Sequence, residues 1–179
     1  TISVTIDDMT NTAIVITVTD NLGQVATITH TLNTIWENAA IISGELSSSY
    51  TEETLIITPR QLIVTTDVVL DHCTIYCASE DYDNIMQTQW IVPYSNKLTI
   101  KSCTIQSGCP DKMWQGITVY GIRFSNPSYI RSLVNVNGSH IQDAVKAVES
   151  INNGTIIANG SNFENNQDGI YYNKFITKP

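Results

Sequence analysis

Charged side chains are scarce in this sequence of 179 residues. Asp, Glu, Lys and Arg make up only 15% of it, compared with roughly 25% of an average soluble domain. The nine Lys and Arg residues form no cluster, and 17 acidic residues outnumber them, which gives a formal net charge of −8. Because nucleic acids and anionic membrane surfaces are recognised through clustered positive charge, neither is predicted to be a partner.

Long apolar runs are missing as well. No stretch approaches the roughly 20 apolar residues that a membrane-spanning helix needs, so no membrane insertion is predicted. No signal peptide is visible, but the sequence begins and ends in the middle of a strand-like pattern. We therefore expect a fragment of a longer polypeptide with flanking domains, in which a missing signal peptide says nothing about export.

Cysteine does not occur in the close pairs that bind zinc. The four cysteines, Cys73, Cys77, Cys103 and Cys109, are loosely spaced, and no structural zinc site is predicted. Two interpretations remain for them. In the first, all four are free side chains that act as small core residues. In the second, one disulfide forms, with Cys77 and Cys109 as the favoured pair.

β-branched residues are abundant instead, and Ile, Val and Thr run through nearly every segment. They lose side-chain freedom in helices and pack well on the pleated surface of a sheet. The apolar fraction of 42% is enough to bury a core. The sequence therefore predicts an almost wholly β protein.

Residues 1–33 alternate between apolar and polar side chains, which is typical of half-buried antiparallel strands. The turn Asp20-Asn21-Leu22-Gly23 suits a tight hairpin. Residues 16–27 resemble the last hairpin of bacterial polycystic-kidney-disease-type modules, which have an immunoglobulin-like fold. We therefore predict that residues 1–34 are the C-terminal strands of such a sandwich.

A different pattern begins after residue 62, where an eight-residue unit occurs four times. Each copy reads apolar-x-apolar-polar-small or polar-(Cys/Ser)-x-apolar, and the copies begin at Val68, Leu98, Val134 and Ile156. They are 30, 36 and 22 residues apart. A fixed unit with variable spacing is typical of a solenoid whose turns carry loops of different length.

Stacked turns would place equivalent residues in columns, roughly 4.8 Å apart. Three columns are predicted, the last of which is the most direct test of the fold: Val68, Leu98, Val134, Ile156; Cys73, Cys103, Ser139, Ser161; and Ile75, Ile105, Ile141, Phe163. Asn137 and Asn159 precede Gly at matching places. They are predicted to form a tight corner with left-handed backbone and a short amide ladder.

The string Trp114-Gln115-Gly116-Ile117-Thr118-Val119-Tyr120-Gly121 has the form W-x-G-I-x-V-x-G. Together with the four repeats it resembles the pectin-lyase-like superfamily, and most of all the surface proteins secreted by Bacteroidetes-type bacteria. The resemblance implies that residues 35–179 form a right-handed parallel β-helix in a secreted or cell-surface protein. It does not specify a function.

Asp168 is the one candidate catalytic residue. It lies in Asn166-Gln167-Asp168-Gly169-Ile170, which resembles the N-x-D-G-I string of polygalacturonases, where the Asp serves as part of the general-acid machinery. The second Asp and the Gly-His-Gly motif of that family are absent. The preferred interpretation is that Asp-Gly turns a corner before a strand. The sequence therefore favours a chain that is not an enzyme and leaves enzymatic activity as the alternative.

The densest acidic segment contains Glu80, Asp81 and Asp83. Carboxylates are calcium ligands, but these lack a regular ligand spacing, and a solvated loop is the preferred interpretation. No cofactor is predicted, with calcium at this loop as the alternative.

Aromatic residues offer the best indication of binding. Trp90, Trp114, Tyr120, Tyr171 and Tyr172 lie on or beside the second strand of successive turns. If their rings point outward, they form a strip on which sugars could stack. The competing interpretation, which is favoured, is that they fill the core.

These patterns favour a non-catalytic extracellular or cell-surface module, either a carbohydrate-contacting adhesin or a structural stalk, with a polysaccharide or surface glycan as partner. One alternative is a fragment of a polysaccharide lyase or glycoside hydrolase whose catalytic turns lie outside this sequence. Another is a segment of a phage tail spike, which would be expected to trimerise.

Overall fold

The structure is a computed structural model. It describes residues 2–6, 13–19, 25–31, 38–58, 60–78, 88–109, 112–121 and 132–173, the first three ranges as backbone only. The chain divides into two compact units, Thr1–Ala39 and Ala40–Pro179. The boundary predicted between residues 34 and 35 lies outside the described residues.

The first unit contains three strands, β1 (Ile2–Ile6), β2 (Ala13–Thr19) and β3 (Val25–Thr31). They form one sheet in the order β1-β2-β3, in which both neighbouring pairs are antiparallel. The turn predicted at 20–23 lies outside the described residues. Assignment of these strands to an immunoglobulin-like module stays a prediction.

The second unit contains three parallel sheets, which we call sheets I, II and III. Sheet I contains β4 (Ala40–Ile42), β7 (Thr54–Ile57), β10 (Thr74–Cys77), β13 (Thr104–Ser107), β16 (His140–Gln142) and β19 (Asn162–Glu164). Sheet II contains β5 (Glu45–Leu46), β8 (Gln61–Val64), β11 (Gln89–Val92), β14 (Trp114–Tyr120), β17 (Ala144–Ile151) and β20 (Asp168–Asn173). Sheet III contains β6 (Tyr50–Thr51), β9 (Val68–Asp71), β12 (Lys97–Lys101), β15 (Leu133–Asn137) and β18 (Thr155–Asn159).

The chain visits sheets I, II and III in turn, and from β7 onward each strand pairs with the strand three places earlier in the sequence. One round through the sheets is called a coil here, so that β10, β11 and β12 form coil 3. No helix occurs among the described residues. This all-β arrangement of parallel sheets with five or six strands each is consistent with a parallel β-helix.

Equivalent residues of successive coils stack in register. Ile75 pairs with Ile105, Ile105 with Ile141 and Ile141 with Phe163, which confirms the predicted column. The column that begins at Val68 is confirmed in the same way by the pairing in sheet III. All of these residues except Ile156 and Phe163 are fully buried, because the inward positions of the three sheets together form the core.

The corner between sheets III and I contains a ladder of side chains that we call the corner ladder. Its members are Cys73, Cys103, Ser139 and Ser161. Each donates its S–H or O–H to the carbonyl two residues earlier, at 3.0 to 3.4 Å. In each of the first three, the backbone N–H donates to the sulfur or hydroxyl of the next coil, at 3.4, 3.1 and 3.2 Å. The ladder thus satisfies polar groups that the turn would otherwise leave without partners.

The residue before each member of this ladder has a left-handed backbone. Its φ is 53° at His72, 49° at Ser102, 55° at Gly138 and 58° at Gly160. The sequence-based placement of the left-handed residue at Asn137 and Asn159 was therefore wrong by one position. Both asparagines end strands of sheet III, and Gly, which has no Cβ to clash in this conformation, makes the turn.

Inward positions of the last described coil are partly exposed. Ile170 and Tyr172 continue the columns of Val148 and Ser150, yet they are 40% and 64% exposed, whereas Val148 and Ser150 are buried. No described strand pairs with the outer edge of β18, β19 or β20. At this end the inward columns are therefore only partly buried, because no described coil covers them.

The corner ladder predicts how Ser139 responds to substitution. Ser139→Ala removes the acceptor for the N–H of Cys103, so we expect the free energy of unfolding to fall by roughly 1–3 kcal/mol. Ser139→Cys keeps a donor and acceptor of the kind found at Cys73 and Cys103, so the free energy of unfolding should fall by less in this variant. Urea unfolding of the two variants tests this, and equal losses would contradict the ladder.

Candidate functional site

The outer face of sheet II carries polar and aromatic side chains in register, among them the one cation–π contact between described residues. One outward column runs through Ile63, Ile91, Thr118, Glu149 and Tyr171 on successive strands. A second runs through Gln61, Gln89, Gly116, Lys146 and Asp168. Between them lies the buried column of Trp90, Ile117 and Val148. The two outward columns form a continuous strip across the coils, which we call the sheet II strip.

A bulge in β17 gives the strip its shape. Gly116 pairs with Lys146, but the next residue, Ile117, pairs with Val148, so that Ala147 is an extra residue. In a regular strand, residues three apart point to opposite faces. The extra residue brings Lys146 and Glu149 to the same outward face, where the Lys146 Nζ donates to Glu149 Oε1 at 2.8 Å.

Gly116 permits this bulge. Its φ is +99°, and a Cβ built at this position would lie 1.6 Å from the carbonyl oxygen of Lys146. Any side chain would collide with the backbone of the neighbouring coil. The Gly in the W-x-G-I string therefore has a structural role, which is to let two strands approach closely where the register changes.

Two members of the strip are buried although they face outward. Thr118 is 3% exposed and Glu149 is 8% exposed. Gln89 Nε2 donates to Thr118 Oγ1 at 3.1 Å, and Lys146 is the partner of the Glu149 carboxylate. Because buried polar groups need hydrogen-bond partners, these contacts hold the centre of the strip in one conformation.

Tyr171 completes the polar centre of the strip. The Lys146 Nζ lies 4.3 Å from the centroid of its ring, a cation–π contact. The Tyr171 side chain remains 39% exposed. An aromatic ring, an ammonium group and a carboxylate thus lie together at a partly open surface.

Asp168 lies at the edge of the strip, in register with Lys146. It is the first residue of β20 and not part of the turn. The turn is made by Asn165, which has a φ of 50°, and by Asn166, which bridges to Ala144 N and Ile141 O of coil 5 at 2.8 and 2.9 Å. Thus Asn166, not Asp168, is the corner residue of the N-x-D-G-I string.

Sequence reasoning missed Glu149 as a site residue. Lys146 and Glu149 lie in the segment Ala144-Val145-Lys146-Ala147-Val148-Glu149-Ser150-Ile151. The only signal was an acidic residue that directly follows the apolar residues Ala147 and Val148. The bulge that moves it next to Lys146 depends on a contact with another coil.

Two of the predicted sugar-stacking residues are core residues. Trp90 and Trp114 are fully buried, and their ring centroids are 5.9 Å apart with the planes tilted by 53°. The Trp114 Nε1–H donates to the carbonyl of Gln142 at 2.9 Å. Neither ring is available to a ligand on the surface, which corrects the strip of five aromatic residues considered from the sequence.

The three tyrosines of that set lie in different surroundings. Tyr120 is half-buried in an outward column that continues to Ile151 and Asn173. Tyr171 belongs to the sheet II strip. Tyr172 continues an inward column and is exposed at the last described coil. Only Tyr120 and Tyr171 therefore remain as outward aromatic residues of sheet II from the predicted set.

All four cysteines are free thiols. Cys77 is buried in the core and Cys109 is exposed, and a disulfide between these two cysteines stays a prediction. Burial raises the pKa of the Cys77 thiol far above its usual range, and a contact with Trp90 lowers it by a smaller amount. Cys77 is therefore an inert core residue in the folded chain.

The acidic residues Glu80, Asp81 and Asp83 lie outside the described residues, so the alternative of a calcium loop stays a prediction. Within the part of the chain that the structure describes, no group of three or more His, Cys, Asp or Glu side chains could hold a metal ion. Nor does that part contain a helix long and apolar enough to cross a membrane.

Comparison with known proteins found no matching family model, no matching curated protein and no matching solved structure.

The close approach at Gly116 predicts a large cost for any side chain there. Gly116→Ala should lower the free energy of unfolding by roughly 3 kcal/mol or more, because the Cβ collides with backbone and the φ is unfavourable. Gly160→Ala is the matched control: its φ is +58°, but nothing lies within 4 Å of the added Cβ. It should cost only about 1–2 kcal/mol.

Urea or thermal unfolding of the two glycine variants measures both values. Equal destabilisation by the two substitutions would show that the bulge in β17 does not depend on contact with Gly116.

Proposed function

We propose that this chain is a non-catalytic module of a secreted or cell-surface bacterial protein, and that the sheet II strip contacts carbohydrate. The module is a right-handed parallel β-helix of the pectin-lyase-like kind, preceded by strands of an immunoglobulin-like module. The observation that supports the binding role most is the exposed ring of Tyr171 beside Lys146 and Glu149, on a rigid sheet.

The chemistry of the strip suits a sugar. Sugars present one face of C–H groups that pack on an aromatic ring and a rim of hydroxyls that both donate and accept hydrogen bonds. Tyr171 would provide the ring. Lys146 and Gln89 would donate to hydroxyls, and Asp168, at the edge of the strip, would accept from them. Polar groups held by a rigid support are the usual way in which a site fixes the orientation of a ligand.

Charge favours a neutral glycan over an acidic one. Lys146, the one cation of the strip, already pairs with Glu149, and Asp168 adds a second carboxylate beside it. The chain as a whole carries a net charge of −8. A polyuronide would meet repulsion at this surface, whereas a neutral polysaccharide would not.

Secretion is supported by the resemblance of the repeats and the W-x-G-I string to surface β-helices. The stalk role is the natural alternative if the strip binds nothing, because stacked coils form a rigid rod whatever its surface chemistry.

A glycan array tests the binding role. The wild-type chain is expected to bind one or more neutral oligosaccharides, and Tyr171→Ala to weaken that binding by roughly tenfold or more, the equivalent of about 1.4 kcal/mol. Tyr94→Ala is the control, since Tyr94 is 54% exposed and lies outside the strip. It should leave binding unchanged.

Absence of wild-type binding to every neutral glycan would overturn the carbohydrate role and leave the stalk role. Equal losses in the two tyrosine variants would show that the strip is not the contact surface.

One observation favours an enzyme as the second candidate. Asp168 and Glu149 lie on the same outward face of neighbouring strands, one column apart. Inverting glycoside hydrolases use two carboxylates roughly 6.5–9.5 Å apart. Against this role, the carboxylate of Glu149 is already paired with Lys146 and largely buried.

Hydrolysis can be tested by incubating the chain with neutral and acidic polysaccharides and measuring reducing ends. Under the leading proposal we expect none above background, for the wild-type chain and for Asp168→Asn alike. Release of reducing ends that is lost in Asp168→Asn would replace the binding module with a hydrolase.

A further inference from the structure

Cys73 and Cys103 are neighbours in the corner ladder, on coils 2 and 3. The strands on both sides of them pair in register: Asp71 with Lys101, and Thr74 with Thr104. The backbone N–H of Cys73 donates to the sulfur of Cys103 at 3.4 Å. The two thiols therefore belong to one column and are held there by hydrogen bonds.

Both thiols have the same orientation relative to the turn. Cys73 donates its S–H to the carbonyl of Asp71 at 3.4 Å, and Cys103 donates to the carbonyl of Lys101 at 3.1 Å. Paired residues on neighbouring strands are about 4.8 Å apart. This lies within the roughly 4.4–6.8 Å that separates the Cα atoms of disulfide-bonded cysteines.

The other two cysteines have no such neighbour. Cys77 pairs in register with Ile57 on one side and Ser107 on the other. Cys109 is exposed. Beyond Cys103 the ladder continues with Ser139 and Ser161, which cannot form disulfides. The only cysteine pair in register between neighbouring coils is Cys73 with Cys103, among the described residues.

We propose that Cys73 and Cys103 form a disulfide that links coils 2 and 3 when the chain folds in the presence of a small-molecule disulfide. The thiolate of one cysteine attacks the small disulfide and releases one small thiol, which leaves a mixed disulfide. The second cysteine attacks the protein sulfur of that mixed disulfide and releases the second small thiol. The two cysteines lose two electrons and two protons, which the small disulfide accepts.

The bond forms during folding and not afterwards. In the folded chain both side chains are almost completely buried, and burial raises the pKa of the Cys103 thiol to about 11. The thiolate is the reacting form, so the closed corner reacts slowly. A chain that folds in an oxidising compartment would acquire the bond, and the pairing does not depend on whether the sheet II strip binds carbohydrate.

Refolding in a redox buffer tests the pairing. The Cys109→Ser chain, which lacks the exposed thiol, is unfolded with reductant and refolded with mixtures of reduced and oxidised glutathione. Free thiols are then alkylated, and the chain is digested without reduction for mass spectrometry. We expect a linked peptide containing Cys73 and Cys103, with Cys77 alkylated.

Oxidation should also stabilise the chain. A bond that closes a loop of this length restricts the unfolded state, and we expect the thermal midpoint of the oxidised chain to lie roughly 5–10 °C above that of the reduced chain. Cys103→Ser in the same background is the control. Its hydroxyl can take the role that Ser139 has in the next coil, so it should fold, and its midpoint should not depend on the redox buffer.

Two results would overturn the proposal. One is a folded chain in which Cys73 and Cys103 stay alkylated at every glutathione ratio. The other, in the chain with all four cysteines, is a link between Cys77 and Cys109 in place of the proposed one.

Discussion

Parallel backbone pairing in a fixed register between successive coils is the constraint on which the second unit depends. Each coil presents only a few apolar residues and cannot bury them alone. When Ile75, Ile105 and Ile141 stack, the inward positions become continuous columns in the core. A slip of one residue would turn every inward side chain outward, so the hydrophobic pattern and the hydrogen bonds select the same register.

The corners maintain this register where strands end. At four of the five described corners between sheets III and I, a residue with left-handed backbone makes the turn, and a Cys or Ser follows it. That side chain accepts from the backbone of the preceding coil and donates to its own. Sulfur and oxygen are interchangeable in this role, because both can donate and accept. The same corner therefore has a purely structural function at Ser139 and a potential redox function at Cys73 and Cys103.

The surface chemistry of sheet II depends on a local departure from the regular repeat. The bulge opposite Gly116 brings Lys146 and Glu149 to one face, and Tyr171 covers the Lys146 ammonium group. Glu149 is buried on an outward face, which is tolerable only because its carboxylate is paired. A polar centre that is held rigid in this way costs less to organise around a ligand than a set of flexible surface side chains.

The sequence by itself determined the all-β class, the repeating unit and the register of the columns, because spacing and period-two alternation are local properties that survive in any coil of this kind. Only the tertiary structure decided that Trp90 and Trp114 are buried, since an alternating pattern does not say which face the other two sheets enclose. The same holds for Lys146 and Glu149, whose meeting requires a backbone contact with the neighbouring coil at Gly116. The tertiary structure also decided that Gly138 and Gly160, and not the asparagines before them, make the turn. Asn and Gly both tolerate left-handed backbone, so only the pairing of the coils determines which of the two residues adopts it.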